Sequence, residues 1–437
     1  AEGQAIINIV LKKNIASGFN SSVAITAGTR DNYNAATSIT WQHSRISVYG
    51  NYSYQRRNTY SNGFQNMTYL LSPGPAYYSN ETFPSITITN LHSAKGGIDY
   101  SLTSRDAISI SGAYTASTTD RNEWLTVNNL TAAHLPAELS TRYNATSGNG
   151  NSYQLTVDYT HKFRRPQQEL NFDLDYSRGV TDNLQLYNTH INNVDGHATD
   201  STAVLKDLKL GNNRNYNVQL DYTTPIGKTG KLETGYRSQI GITGNHQWDY
   251  NLDKTSGEYD PDYSLINFFK STNQVHAAYI SFRRQINTFS FQLGVRAELG
   301  RFAADLKSFD STGKLVLLPI TVNTKGIYPS VQLTKRLGEG KQLQVSYSRR
   351  VNRPTPRELN PFLDVSDPVN YDAGNPRLLP EDIHSVELTY THTQPKAALT
   401  SGVYFTQVNN VIKHIQTPPV NDVTYTVSQN LKRAINT

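Results

Sequence analysis

The sequence contains no cysteine, a single methionine and no apolar run longer than four residues. Without cysteine there can be no disulfide-stapled scaffold and no thiolate zinc or iron–sulfur centre. A membrane-spanning helix needs roughly 20 consecutive apolar residues, and the longest runs here, 277–280 and 315–318, reach four. Charge is also sparse, at 17% of residues against the usual quarter. The net charge of +6 is spread over 437 residues with no long basic cluster, which argues against a nucleic-acid partner. The 11 histidines are scattered. No His-Glu-x-x-His, no Gly-x-Ser-x-Gly elbow and no phosphate loop ending in Lys-Ser/Thr occurs. No catalytic residue, metal site or cofactor is therefore expected. The chain opens on Ala1-Glu2-Gly3 with no secretion signal in view, so it reads as a processed or cut piece.

What is present is aromatic and polar: 28 Tyr, 14 Phe and 3 Trp, too many for a disordered chain. A mean hydropathy of −0.55 and the length alone would suit a soluble protein of two or three domains. The arrangement of the residues says otherwise. Strict alternation, the mark of a strand with two unlike faces, runs through Ile46-Ser47-Val48-Tyr49-Gly50-Asn51-Tyr52-Ser53. It recurs in Tyr153-Gln154-Leu155-Thr156-Val157-Asp158-Tyr159 and in Leu170-Asn171-Phe172-Asp173-Leu174-Asp175-Tyr176. Tyr216-Asn217-Val218-Gln219-Leu220-Asp221-Tyr222, 289–298, 343–348 and 386–391 repeat it. The chain is all-β.

The connections sort into short ones (42–45, 103–106, 163–167, 224–230, 284–288, 337–341, 393–396) and long ones between them (57–90, 119–150, 179–212, 244–271, 303–325, 352–382). The loop at 29–32 is short on the long side. An up-and-down meander sorts its loops this way, and tight turns at one rim with long loops at the other is the anatomy of a transmembrane antiparallel β-barrel. The only β structure that satisfies its own backbone in lipid is a closed barrel. Its lumen tolerates charge, which lets Asp173, Asp175, Glu233, Arg237, Arg296, Glu298 and Glu387 occupy strand centres if they point inward. Asp173 and Asp175 share a face and could also pair as carboxylates or bind calcium; a lumen charge ladder answered by basic residues is the simpler reading. Trp41, Tyr100, Trp124 and Phe163 suit aromatic girdles.

Sixteen strands are expected near 18–28, 33–42, 45–56, 91–103, 106–118, 151–162, 167–178 and 213–224, then 230–243, 272–284, 288–302, 326–337, 341–351, 383–393, 396–408 and 422–430. Two readings compete: a complete sixteen-stranded porin, or part of something larger.

Two stretches resemble TonB-dependent outer-membrane receptors, specifically the Bacteroidetes-type outer-membrane β-barrel family. Gly3-Gln4-Ala5-Ile6-Ile7-Asn8-Ile9-Val10-Leu11-Lys12-Lys13-Asn14 looks like the last strand of the plug domain. The second runs Tyr347-Ser348-Arg349-Arg350, Arg353-Pro354, Leu359-Asn360-Pro361-Phe362, then Gly374-Asn375-Pro376-Arg377-Leu378-Leu379-Pro380-Glu381. It is similar to the family's signature between two barrel strands. Proline and glycine fix a compact path there and Asn or Glu can tie its backbone, so the motif reads first as a loop-shaping device. The resemblance implies a barrel of about twenty-two strands closed round a plug, with residues 1–14 ending the plug and 15–437 supplying about sixteen strands. It implies import of a large, scarce nutrient (iron chelate, cobalamin, glycan or peptide) driven by the TonB complex through the plug, with outer-membrane lipid and a surface lipoprotein as further partners. The other readings are a passive porin and an adhesin or structural barrel. In the expected long loops, Trp124, Asn128, Trp248 and Tyr250 place aromatic faces beside amides, a pairing suited to sugars or planar chelates.

Overall fold

A computed structural model describes residues 17–69, 77–192, 198–310, 313–364, 370–395, 397–418 and 423–437. The stretch expected to end the plug lies outside them. Alternation dictates strands, and each long strand pairs with the next long one: β1 (Gly18–Gly28), β2 (Asn32–His43), β3 (Ile46–Ser61), β4 (Phe64–Tyr69), β5 (Tyr77–Thr82), β6 (Ser85–Ser101), β7 (Asp106–Leu130), β8 (Pro136–Lys162), β9 (Glu169–Asn192) and β10 (Ala198–Ile226). The chain continues with β11 (Gly230–Leu252), β12 (Tyr259–Pro261), β13 (Asn267–Ile286), β14 (Phe289–Phe309), β15 (Leu315–Gly338), β16 (Lys341–Asn352), one helical turn α1 (Pro356–Leu359), β17 (Asn370–Ala373), β18 (Glu381–Gln394), β19 (Ala397–Gln416) and β20 (Thr424–Asn436).

All belong to one sheet, antiparallel except where β17 runs parallel to β20. Setting aside the short β4, β5, β12 and β17, sixteen long strands remain, in the positions the alternation marks. Tight turns at one rim use left-handed residues, Ser44 at φ 53° and Asn287 at φ 53°, the conformation that matches the twist of two-residue hairpins.

The other rim departs from the sequence expectation. Stretches 119–150 and 179–212 are for the most part strand rather than loop. The β7–β8 ladder runs unbroken from Asp106↔His161 to Asn129↔Glu138, and β10–β11 from Ile226↔Gly230 to Leu205↔Asn251. The period of two continues past the membrane band, as in Glu123-Trp124-Leu125-Thr126-Val127, and a hairpin that satisfies its own backbone grows as readily in water as in lipid.

The level of the membrane is written in a reversal of polarity along the strands. On β14, Leu293, Val295, Ala297 and Leu299 face outward while Arg296 and Glu298 face inward. Above this point the same outward register carries Arg301, Asp305 and Lys307, and the inward one carries buried Phe302, Ala304 and Leu306. β15 switches at the matching place, from Ile327 to Lys325 outward and to Val322 and Ile320 inward. Leu299 is 65% exposed and Ile327 61%, as hydrocarbon-facing side chains must be when seen without lipid. The largest buried cluster, Phe269, Phe302, Ala304, Leu306, Leu359 and Leu378, lies on the inward face above this switch.

Candidate functional site

The buried cluster exists because a strap, formed by residues 353–364 and 370–380 between β16 and β18, lies across the inward face of β13–β15. Its local structure follows from its residues. Thr355 caps α1: its Oγ1 accepts from Glu358 N at 3.3 Å and its N donates to Glu358 Oε2 at 2.7 Å, a reciprocal capping box with Pro356 following. Gly374 N donates to Asn360 O at 2.8 Å and Asn375 N to Glu358 O at 2.6 Å. A Cβ on Gly374 would meet the carbonyl oxygens of Asn360, Arg357 and Glu358 at 2.4, 2.6 and 2.6 Å, so only glycine fits this approach. Leu359 and Leu378 then drop into the cluster, 3% and 2% exposed.

Side chains lash the strap at both ends. Arg353 Nη2 donates to Glu298 Oε2 at 2.7 Å, and Arg296 Nε to Glu298 Oε1 at 2.5 Å. Pro354 and Pro380 border a small cavity with Arg353 and Phe302. Asn375 Nδ2 donates to Ser428 O at 3.0 Å, Leu379 N to Asn430 Oδ1 at 2.8 Å, and Asn430 Nδ2 back to Leu379 O at 3.0 Å. Glu381 accepts from Asn352 Nδ2 and Ile412 N, both at 2.7 Å. Arg349 grips Asp382 with two nitrogens at 2.9 and 3.0 Å. Arg350 is exposed, opposite Ile383; Pro361 and Pro376 are half-buried in the strap. The signature thus folds as a strap, and each polar residue named here, Arg350 and Asn352 apart, ties backbone or pairs charge.

The seven strand-centre charges, Asp173, Asp175, Glu233, Arg237, Arg296, Glu298 and Glu387, share the register of the strap side. Asp175 accepts from Thr156 Oγ1 at 2.9 Å and Asn217 Nδ2 at 3.2 Å, and Arg237 Nε donates to Asn217 Oδ1 at 3.0 Å. Asp173 stands opposite Asp158, Lys231 reaches Glu233 at 2.5 Å, and no group of three metal-ligating side chains occurs among the described residues. Trp124 and Asn128 on β7 and Trp248 and Tyr250 on β11 hold even positions, in register with outward Ile108, Ile110 and Tyr236. Trp124 lies 5.6 Å from the Tyr143 ring and Trp248 5.4 Å from that of Phe268. These four stand on the outer side of raised hairpins.

The inward positions of these raised hairpins form the site that sequence reasoning missed. A cavity of 490 Å³ on the inward face is lined by Glu81, Arg121, Glu123, Asn144, Gln185 and Tyr187 among others. Asn144 Nδ2 donates to Glu123 Oε1 at 2.9 Å. Arg142 stacks over the Tyr187 ring at 5.0 Å and donates to Thr189 Oγ1 at 2.8 Å. Carboxylate, guanidinium, amide and phenol groups here can hydrogen-bond a polar solute. Continuing the period of two through 119–130 would have revealed Arg121 and Glu123 among them. Beside this cavity Asp207 and Asp249 face each other across the β10–β11 ladder, above the outward apolar residues of those strands. Both are buried, and Lys209 Nζ reaches Asp207 Oδ2 at 2.6 Å. Burial, and next the charge of Asp207, push the Asp249 carboxyl up to about 7; burial raises Asp207 as well.

A raised, one-sheet wall with an apolar outer band and a strapped polar interior defines a class, the outer-membrane β-barrels. The chain belongs to the outer membrane protein beta-barrel family, whose model matches residues 161–437. A search of curated proteins finds no match. Among solved structures the chain resembles the copper transporter OprC (TM-score 0.61, 12% identity, 96% of this chain and 58% of that one). It also resembles the Serratia marcescens hemophore receptor HasR, solved as a double mutant with its hemophore HasA and heme (0.55, 11%, 96% and 59%). The Yersinia pestis ferric yersiniabactin uptake receptor FyuA is a further likeness (0.51, 10%, 91% and 55%). These likenesses show the fold, and the chain spans 55–59% of the length of those receptors. The protein is placed in the bacterial outer membrane.

Proposed function

We propose that the chain forms part of the wall and the outer mouth of a TonB-dependent importer. The observation that carries this reading is the strap: a segment lashed across the inward face at Glu298, Ser428 and Asn430, built from the stretch that resembles the receptors' signature. The likeness to a ferric yersiniabactin uptake receptor, a hemophore receptor and a copper transporter supports it at the level of fold. Arg121 and Glu123, the more open of these lining residues, are the wall residues that meet a polar solute first, with the buried Glu81, Asn144 and Tyr187 behind them. The aromatic residues Trp124 and Trp248, with Asn128 and Tyr250, serve capture or partner contact on the outer side, a surface lipoprotein among the partners. Among the described residues β1 pairs only with β2, and all its residues are exposed; backbone left unpaired in hydrocarbon is costly, in keeping with a larger barrel around a plug. The chain does no covalent chemistry.

The test is uptake by cells carrying the full-length protein, with and without the TonB complex. Uptake that stops when the complex is deleted is the expected result. Uptake that persists unchanged would favour a passive porin, and a deletion strain with unaltered uptake would favour an adhesin.

A further inference from the structure

The polarity switch that marks the top of the membrane leaves cations with no counter-ion. On the outer wall, Leu299 of β14 lies opposite His276 of β13 on one side and Lys325 of β15 on the other, and Arg301 is the next outward residue above it. These side chains border an open groove of 470 Å³. Arg301 and Lys325 are exposed and form no ion pair or hydrogen bond with any described residue. His276 is held by its Nδ1, 3.0 Å from the Tyr236 hydroxyl, which leaves Nε2 uncommitted. The lower wall of the groove is Leu299, and outward Ile327 continues it one step down β15.

A second place on the same wall repeats the arrangement. Arg178 of β9 and Arg214 of β10 stand directly opposite each other, one step above the facing pair Tyr176 and Tyr216, whose rings are 5.1 Å apart. Like charges placed opposite destabilise a ladder, and neither arginine has an acidic partner among the described residues.

We propose that His276, Arg301 and Lys325 bind the phosphate of an anionic membrane lipid at the extracellular rim, with Arg178 and Arg214 a second such contact. Unpaired cations at the border of hydrocarbon gain from anionic headgroups at that level, and the apolar residues below each cluster give the acyl chains a surface to lie on. The apolar lower wall is what favours a lipid over free phosphate, which would gain nothing from Leu299 and Ile327. The proposal rests on membrane placement alone and is independent of what the barrel transports.

Native mass spectrometry of the full-length protein, released from micelles doped with phosphatidic acid or with phosphatidylcholine, tests it. The wild type is expected to retain phosphatidic acid at least tenfold better than phosphatidylcholine. R301Q/K325Q is expected to lose that excess about tenfold and K325Q alone about threefold, while K307Q, higher on the same face, keeps it. Heat-modifiable migration on gels checks that each variant is folded, and the single variant serves if the double one is not. Equal retention of the two lipids, or no loss in folded K325Q, would overturn the proposal. So would complete displacement of the lipid by millimolar inorganic phosphate, which would mark a site for the soluble anion.

Discussion

Arg353 Nη2 stands 2.7 Å from Glu298 Oε2, and this contact joins the strap to the wall. Glu298 is 8% exposed and takes a second guanidinium, that of Arg296, on its other oxygen. Removing the carboxylate in Glu298→Ala leaves two cations facing each other. The expected cost to strap docking is about 1.5–3 kcal/mol, the range for hydrogen bonds to charged groups. Hydrogen exchange should quicken by about ten- to hundredfold over 353–380 and stay unchanged over β9 and β10. Uniform quickening of both regions would mean that Glu298 supports the barrel in general.

Gly374→Ala tests the close approach. Its Cβ would sit 2.4 Å from Asn360 O, and forcing that contact apart is expected to cost about 1–3 kcal/mol, as overpacking does. Cleavage after Arg377 by trypsin should then occur in the folded barrel. A variant as resistant as the wild type would show that the strap has slack at this point.

The two faces of β14 respond oppositely to charge. Val295→Lys places an ammonium in hydrocarbon at about 2–4 kcal/mol, whereas Gln292→Lys points inward and costs little. The fraction of folded, heat-modifiable protein should fall for the first and hold for the second. The reverse order would exchange inside and outside.

Asp249 makes the raised hairpins sensitive to pH. Its carboxyl titrates near 3.8 ordinarily and at about 7 when folded. Between those values the folded state keeps a proton that the unfolded state has released, so stability falls as pH rises from about 4 to about 7 and then levels off. The span corresponds to a few kcal/mol. Asp249→Asn should therefore protect the upper parts of β10 and β11 more strongly at about pH 8 than at about pH 5, read by hydrogen exchange corrected for intrinsic rates. Equal protection at both would remove Asp249 as the cause.

Much of the fold was legible because lipid enforces a simple code. Apolar residues at every second position, with charges such as Asp173 and Arg296 between them, mark a strand with one wet face. The turns near Ser44 and Asn287 break that code visibly. The upper hairpins were misread as loops because alternation above the membrane no longer separates apolar from polar: on β14, Phe302 and Leu306 turn inward where Arg296 and Glu298 did before. That same reversal hid the inward cavity, since Trp124 and Trp248 draw the eye while Glu123 and Asn144 look like ordinary loop residues. The strap was readable as a loop-shaping device from Gly374 and its prolines. Its partners, Glu298 and Asn430, are set by register across strands distant in sequence, which one chain read alone does not display.

The central claim is that the strapped interior belongs to a gated importer. Planar-bilayer conductance of the full-length protein tests it most directly. A closed wild type, held shut by its plug, is the expected result, with steady conductance appearing when the plug is deleted. A wild-type protein that holds a steady open pore would contradict it.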